Sequence, residues 1–167
     1  MVKKLLPLLM IFSPLVYAES LPSSQFAPPD NSPPALTLHG KGVQIYQCVM
    51  EGQQATWRFF APNAQLYDNQ DHPVGKHFAG PVWEYQDKSG VAGKITKSLP
   101  AQDKTAIDWL MLAAILHKGN GVMSAVNYIS RINTKGGLPP TEGCDTNHLG
   151  AEQSVAYSAD YVFYVKP

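Results

Sequence analysis

The chain has 167 residues, of which 44% are hydrophobic, and its 13 basic side chains balance 13 acidic ones. Basic residues are scattered singly, so neither a nucleic-acid nor an anionic-membrane partner is favoured. Only two cysteines are present, and no internal apolar run is long enough to span a bilayer as a helix.

The N-terminus reads as a targeting segment. Lys3 and Lys4 precede an apolar run from Leu5 to Val16, and Val16-Tyr17-Ala18 places small residues where a signal peptidase reads. Cleavage is expected after Ala18, leaving 149 residues with 11 basic and 13 acidic side chains, a net charge of −2. That length suits one domain with a full core. An exported chain, periplasmic or extracellular, is the expectation, and no cysteine follows the cut to take a lipid anchor. Residues 19–34 carry Pro22, Pro28, Pro29, Pro33 and Pro34 among Ser, Asp and Asn. They read as a flexible spacer ahead of a single β-rich domain over 35–167.

Val43 to Met50 is rich in β-branched and aromatic residues. Gln44, Tyr46 and Cys48 share one face and Val43, Ile45 and Val49 the other, the pattern of a strand covered on both sides. Glu51-Gly52-Gln53-Gln54 reads as a hairpin turn. Thr56 to Phe60 follows, with Trp57 and Phe59 opposite Arg58 and Phe60, and Pro62 is expected to stop it. Ala64 to Tyr67 reads as a short strand and Asp68 to Pro73 as a polar turn. The stretch Gly75 to Tyr85 combines His77, a Gly80-Pro81 corner, Trp83 and Glu84. Val82 to Gln86 alternates, Asp87-Lys88-Ser89-Gly90 is a turn, and Val91 to Lys97 is another strand.

Ile107 to His117 fits helix or strand by composition, and Asp103 could cap a helix. The segment runs into Lys118-Gly119-Asn120-Gly121 and then into Val122 to Ile132, which favours two strands around a glycine turn. In that second strand Val122, Val126, Tyr128 and Ile132 face opposite Asn127, Ile129 and Arg131. Asn133 to His148 reads as a long loop in which Gly136-Gly137 needs positive φ. Val155 to Val165 carries the clearest period-two pattern, with Val155, Tyr157, Ala159, Tyr161, Phe163 and Val165 on one face. Many short strands with frequent turns predict a mostly β, antiparallel sandwich or barrel with at most one short helix.

Cys48 and Cys144 both lie in the exported part and most simply form one disulfide. A free or metal-bound thiol pair is the alternative.

Several stretches together resemble a known family. They are Gln44-Ile45-Tyr46-Gln47-Cys48, Trp57-Arg58-Phe59, Gly75 to Trp83, Tyr128 to Gly137, Cys144-Asp145 and Tyr157 to Tyr164. The set is similar to the uncharacterised domain-of-unknown-function family numbered 3455, found in secreted bacterial and fungal proteins, over Pro34 to Lys166. The resemblance implies export, one domain and a shared disulfide, and it implies no particular reaction. Relatives often have proline where this chain has Asp108. Some fungal relatives carry a malate dehydrogenase label. This chain has no G-x-G-x-x-G fingerprint and no alternating strand–helix pattern, so a nicotinamide-dependent dehydrogenase is rejected.

His77 is the leading chemical candidate, as general base, metal ligand or hydrogen-bonder, with Glu84 and Asp87 as possible partners. The structural alternative is a histidine tying the Gly-Pro corner to a carbonyl. His72 and His77 are the candidate metal pair, converging with Asp71 or Asp145, although no zinc spacing or H-E-x-x-H motif occurs. Trp83, Arg131 and Asn133 are the ligand-binding candidates. Arg131 could clamp a carboxylate or phosphate, or pair with Asp160. Trp57, Trp83, Tyr85, Tyr157 and Tyr161 could form a stacking surface for sugars or aromatic metabolites, or simply a core. The favoured reading is a binding or structural module of the envelope or exterior, with no cofactor, whose partner is a small molecule, glycan or envelope protein. The rivals are an acid–base hydrolase or lyase and a metal-binding exported protein.

Overall fold

The computed structural model describes residues 26–166. The expected leader over 1–18 and the first part of the expected spacer lie outside the described residues. Eight strands follow one another: β1 (Pro34–Glu51), β2 (Gln54–Tyr67), β3 (Pro73–Phe78), β4 (Val82–Tyr85), β5 (Gly90–Leu99), β6 (Trp109–Lys118), β7 (Val126–Gly136) and β8 (Glu152–Val165). Each pairs antiparallel with the next, and β8 returns to β1, closing a barrel. Of the two architectures expected, this is the barrel, which leaves no terminal strand unpaired. A 3₁₀ turn over Val122–Ala125 separates β6 from β7. The segment 107–117, open to helix or strand, is largely β6.

The alternation in β8 works as the pattern predicts. Tyr157, Ala159, Tyr161 and Phe163 all point into the barrel, where they join Leu38, Leu66, Trp83, Leu112 and Ile129 in one core. At about 25 cal/mol per Å² of apolar surface, each fully buried large side chain contributes roughly 1.5–3 kcal/mol.

A second cluster lies apart from that core and takes in one residue of the expected spacer, Phe26. Phe26 is 2% exposed and packs with Ala101, Ala106, Trp109 and Met111. Its ring meets Trp109 edge-on at 5.9 Å, and the Lys97 ammonium lies 5.5 Å from its centroid. Ser32 is buried, and Asp30 accepts hydrogen bonds from its N–H and hydroxyl. The prolines hid this because they suppress periodicity, while a single aromatic suffices to anchor a segment. Phe26→Ala is expected to destabilise the domain by about 3 kcal/mol, read as a lower urea midpoint. An unchanged midpoint would leave 26–34 a spacer after all.

Other strand boundaries shift for local reasons. β1 begins well before Val43, because Gly40 and Gly42 interrupt its apolar pattern without interrupting its pairing. β2 runs through Pro62 to Tyr67. At Pro62, β2 has β1 on one side and no strand on the other, and a residue without an N–H is tolerated there. Val122 belongs to the 3₁₀ turn rather than to the strand expected from it. β7 runs on to Gly136, four residues into the expected loop. Gly136 and Gly137 have φ of 63° and 83°. Asp103 caps no helix and instead accepts from the N–H and hydroxyl of Thr105 in a turn.

The β3–β4 hairpin is too short for its neighbours. It pairs with β2 only over Ala64–Tyr67 and with β5 only over Gly90–Ala92. Residues 54–63 of β2 and 93–99 of β5 therefore have a strand on one side only. This leaves a lateral gap in the barrel wall, below the Gly80-Pro81 corner.

Candidate site: a cavity behind a gap in the barrel wall

The gap is edged by apolar side chains that remain in water. Phe59, Phe60 and Ile95 are 49%, 59% and 53% exposed. Both phenylalanines line the same cavity, although strict alternation would put them on opposite faces. The cause is a bulge: Ile45 pairs with Ala61 and Tyr46 with Phe59, so Phe60 has no partner across β1 and its side chain turns toward the gap. A second irregularity after Ile95 breaks β5 in the same way.

Behind this rim lies a cavity of about 230 Å³. Its walls include Pro62, Pro81, Leu110 and Leu112, and Gln44, His77, Trp83, Arg131 and Tyr161 supply its polar groups. An outer lobe of about 380 Å³ shares Gln44, Phe59, Ile95, Leu110 and Arg131 with it and adds Tyr46, Asp108 and Leu138. The two lobes form one recess that narrows inward.

His77 is 3% exposed and stacks on Trp83, ring centroids 4.3 Å apart and planes 9° from parallel. The pair follows from register, since His77 and Trp83 are cross-strand partners in the hairpin. His77 Nδ1 lies 2.9 Å from the Val82 carbonyl. A carbonyl only accepts, so Nδ1 carries the proton and Nε2 the lone pair. Burial pushes its pKa down to about 3, and the charge of Arg131 adds to the effect. The ring is neutral at ordinary pH.

Tyr161 leans on both rings, 5.0 Å from His77 and 5.5 Å from Trp83. Its hydroxyl bonds that of Tyr157 at 3.0 Å. Burial raises the pKa of both phenols, so neither is ionised. The Gln44 amide is turned toward the Tyr157 hydroxyl, a weak hydrogen-bonding approach that offsets a little of that rise, but Gln44 Nε2 has no partner of proper hydrogen-bond geometry. Trp83 Nε1 is likewise buried without a partner. A buried donor left unpaired costs about 1–3 kcal/mol, so two of them around one cavity need an explanation.

Arg131 is half-buried and directed inward beside Tyr161, its partner on β8. Its Nε and Nη2 donate to the Asp108 carbonyl at 3.1 and 2.8 Å. Desolvation lowers its pKa, but a guanidinium stays charged. The expected pairing with Asp160 does not form. Arg131 and Asp160 sit on opposite faces of the β7–β8 ladder, and Asp160 accepts from His39 Nδ1 at 2.6 Å and from Asn133 at 2.8 Å. Among the described residues no carboxylate lies within ion-pair distance of Arg131.

Of the ligand-binding candidates, Trp83 and Arg131 thus meet in the cavity, while Asn133 lies on the outer surface. The acid–base candidates are not brought together. Strand alternation that carries His77 and Trp83 inward carries Glu84 outward, where it pairs with Lys118 at 3.3 Å. Asp87 closes a turn, accepting from Ser89 and from the Val122 N–H. His72 is exposed and bonded to Asp68, and Asp145 holds His148. Among the described residues no three His, Cys, Asp or Glu side chains converge on one point. The aromatic residues form no single stacking surface either. Trp57 instead donates to the Glu142 carbonyl at 2.8 Å. Sequence reasoning missed Gln44, Phe59 and Phe60 as cavity residues; a glutamine between Tyr46 and a glycine-flanked stretch of a buried face was the available signal.

Cys48 and Cys144 are bonded, with Cα atoms 5.4 Å apart. The bond fits an oxidising compartment. No helix among the described residues is long and apolar enough to cross a membrane.

Fold and site together define a disulfide-linked, eight-stranded meander barrel with an internal cavity open through its side. Residues 28–165 match the family described as Protein of unknown function (DUF3455), and the chain belongs to it. No curated protein and no solved structure matches the chain.

Proposed function

We propose that this protein is an exported binding module of the cell envelope or exterior that holds a small, largely apolar molecule in the barrel cavity. One observation carries the reading: an apolar-walled recess, open through the β2–β5 gap, has two unpartnered buried donors, Gln44 Nε2 and Trp83 Nε1, among its lining residues. Binding sites characteristically combine apolar walls with a few fixed polar groups. An eight-stranded barrel has an interior of the size that holds one small ligand. The exposed rim of Phe59, Phe60 and Ile95 would be covered by the ligand's outer end.

The test is calorimetric titration of the purified chain with 1-octanol and sodium octanoate, beside Leu110→Trp. Leu110 lines both lobes and is only partly buried, so the larger ring fills the recess. Binding by wild type that is lost in the filled variant is the expected result. If neither compound binds, or the filled variant binds equally well, the reading fails.

A further inference from the structure

Building on the cavity reading, we infer that the ligand is a monocarboxylate with an apolar body, its carboxylate held by Arg131 with the donors of Gln44 and Trp83 and its body under the phenylalanine rim. Three observations converge on this class.

The first is charge. Among the described residues that line the inner cavity, Arg131 is the only one charged at neutral pH, since His77 and Tyr161 are neutral there. Asp108 borders the outer lobe, but its carboxylate accepts from Ser98 at 2.9 Å and makes no ion pair with Arg131. The Asp108 carboxylate acts on Arg131 from beyond ion-pair distance, and a partly desolvated cation with no carboxylate in contact favours a ligand that supplies one.

The second is geometry. The Asp108 carbonyl takes the Nε–Nη2 edge of the guanidinium. Among the described residues Arg131 makes no other hydrogen bond. The Nη1–Nη2 end is therefore left for a second acceptor, and a planar two-oxygen group matches it bidentately. The carbonyl holds the fork in one orientation without neutralising it.

The third is polarity. Both orphaned side-chain atoms, Gln44 Nε2 and Trp83 Nε1, are donors. An ionised carboxylate only accepts, with about four lone-pair sites. Arg131 stands close enough to act on His77, Tyr157 and Tyr161, the groups that Gln44 and Trp83 touch. One positive charge matches a monoanion; a dianionic phosphate would bring surplus charge into apolar walls.

The test titrates wild type, Arg131→Met and Trp83→Phe with sodium octanoate, 3-phenylpropanoate, 1-octanol and octyl phosphate. At least one acid is expected to bind wild type ten-fold or more tightly than octanol. Arg131→Met should lose that margin while octanol affinity stays within about three-fold. Trp83→Phe keeps a ring against His77 and removes one donor, so it should weaken acid binding several-fold more than it weakens octanol binding. It also keeps the test open if Arg131→Met does not fold. Whichever acid binds tighter assigns the body as alkyl or aryl. Equal binding of octanol and both acids would overturn the carboxylate while sparing the cavity reading. Tighter binding of octyl phosphate would do the same. If no compound binds, the cavity reading falls with it.

Discussion

Breaking the Cys48–Cys144 bond lowers the stability of the barrel by about 4–5 kcal/mol, equivalent to a melting temperature lower by roughly 10–20 °C. The bond closes a loop with a sequence separation of 96. In the chain-entropy account a loop of that length is near the upper end of what one crosslink contributes. Cys48 is 1% exposed on the inward face of β1, so its replacement also leaves a small void. Other contacts limit how far the segment comes away. The Cys48 N–H donates to the Ala151 carbonyl and the Gly150 N–H to the Cys48 carbonyl, both at 2.9 Å, and Trp57 holds Glu142. The loop should loosen without releasing β8. The comparison is thermal melting of wild type with and without reductant, beside Cys48→Ala/Cys144→Ala. Both reduced wild type and the double variant should melt well below oxidised wild type, the double variant slightly lower because of the void at Cys48. A reductant shift below about 3 °C would mean that the thiols are not joined, or that the unfolded chain is already compact enough to make the crosslink redundant.

How much of this could be read from residues alone depends on whether alternation survived. In β8 it did, and the inward set Tyr157, Ala159, Tyr161 and Phe163 is visible in the chain. The disulfide was legible from the expected export and the presence of just two cysteines. The cavity was not, because it arises from three interruptions of pattern. Pro62 reads as a strand end, yet β2 passes through it, since that edge has no neighbour to need its N–H. Phe59 and Phe60 read as opposite faces, yet a bulge turns both to the gap. The hairpin strands β3 and β4 have 6 and 4 residues beside a 14-residue β2 and a 10-residue β5. That mismatch opens the wall, and strand length is what turn signals locate least well. The sites share a lesson in direction. Arg131, Asp160 and Asn133 all lie on β7 or β8, but one faces in and two face out. Asp160 therefore satisfies His39 and Asn133 outside, while Arg131 inside has no carboxylate within ion-pair distance among the described residues. The same parity separates His77 from Glu84 and removes the acid–base pairing that sequence proximity made attractive.

Acid should destabilise this protein through His77 well before its carboxylates protonate. In the folded chain the pKa of His77 is pushed down to about 3 by burial; in the unfolded chain it returns to about 6.5. Between those values the unfolded state binds a proton that the folded state refuses, so stability rises with pH across that window and falls as pH drops below 6.5. The slope is roughly 1.4 kcal/mol per pH unit, or about 3 kcal/mol between pH 6.5 and pH 4. That is a large share of the 5–15 kcal/mol typical of a domain. His39 works the other way. Its pKa is raised by Asp160, so its contribution is present at low pH and is lost as pH rises through its folded value. Asp68, Asp87, Asp103 and Asp145 have lowered pKa values from hydrogen bonds, and their contributions are lost mainly below pH 4. The His77 effect is therefore isolated by difference. His77→Phe keeps an aromatic ring against Trp83 and gives up the bond to the Val82 carbonyl, at a cost of about 1 kcal/mol near neutrality. Urea unfolding of both proteins from pH 7 to pH 4 should show wild type ahead at the top of the range and the two curves crossing as pH falls. Parallel profiles would mean that His77 is protonated in the folded barrel. The stack on Trp83 would then face a cation next to Arg131, an arrangement that the closed, apolar surroundings of that ring do not support.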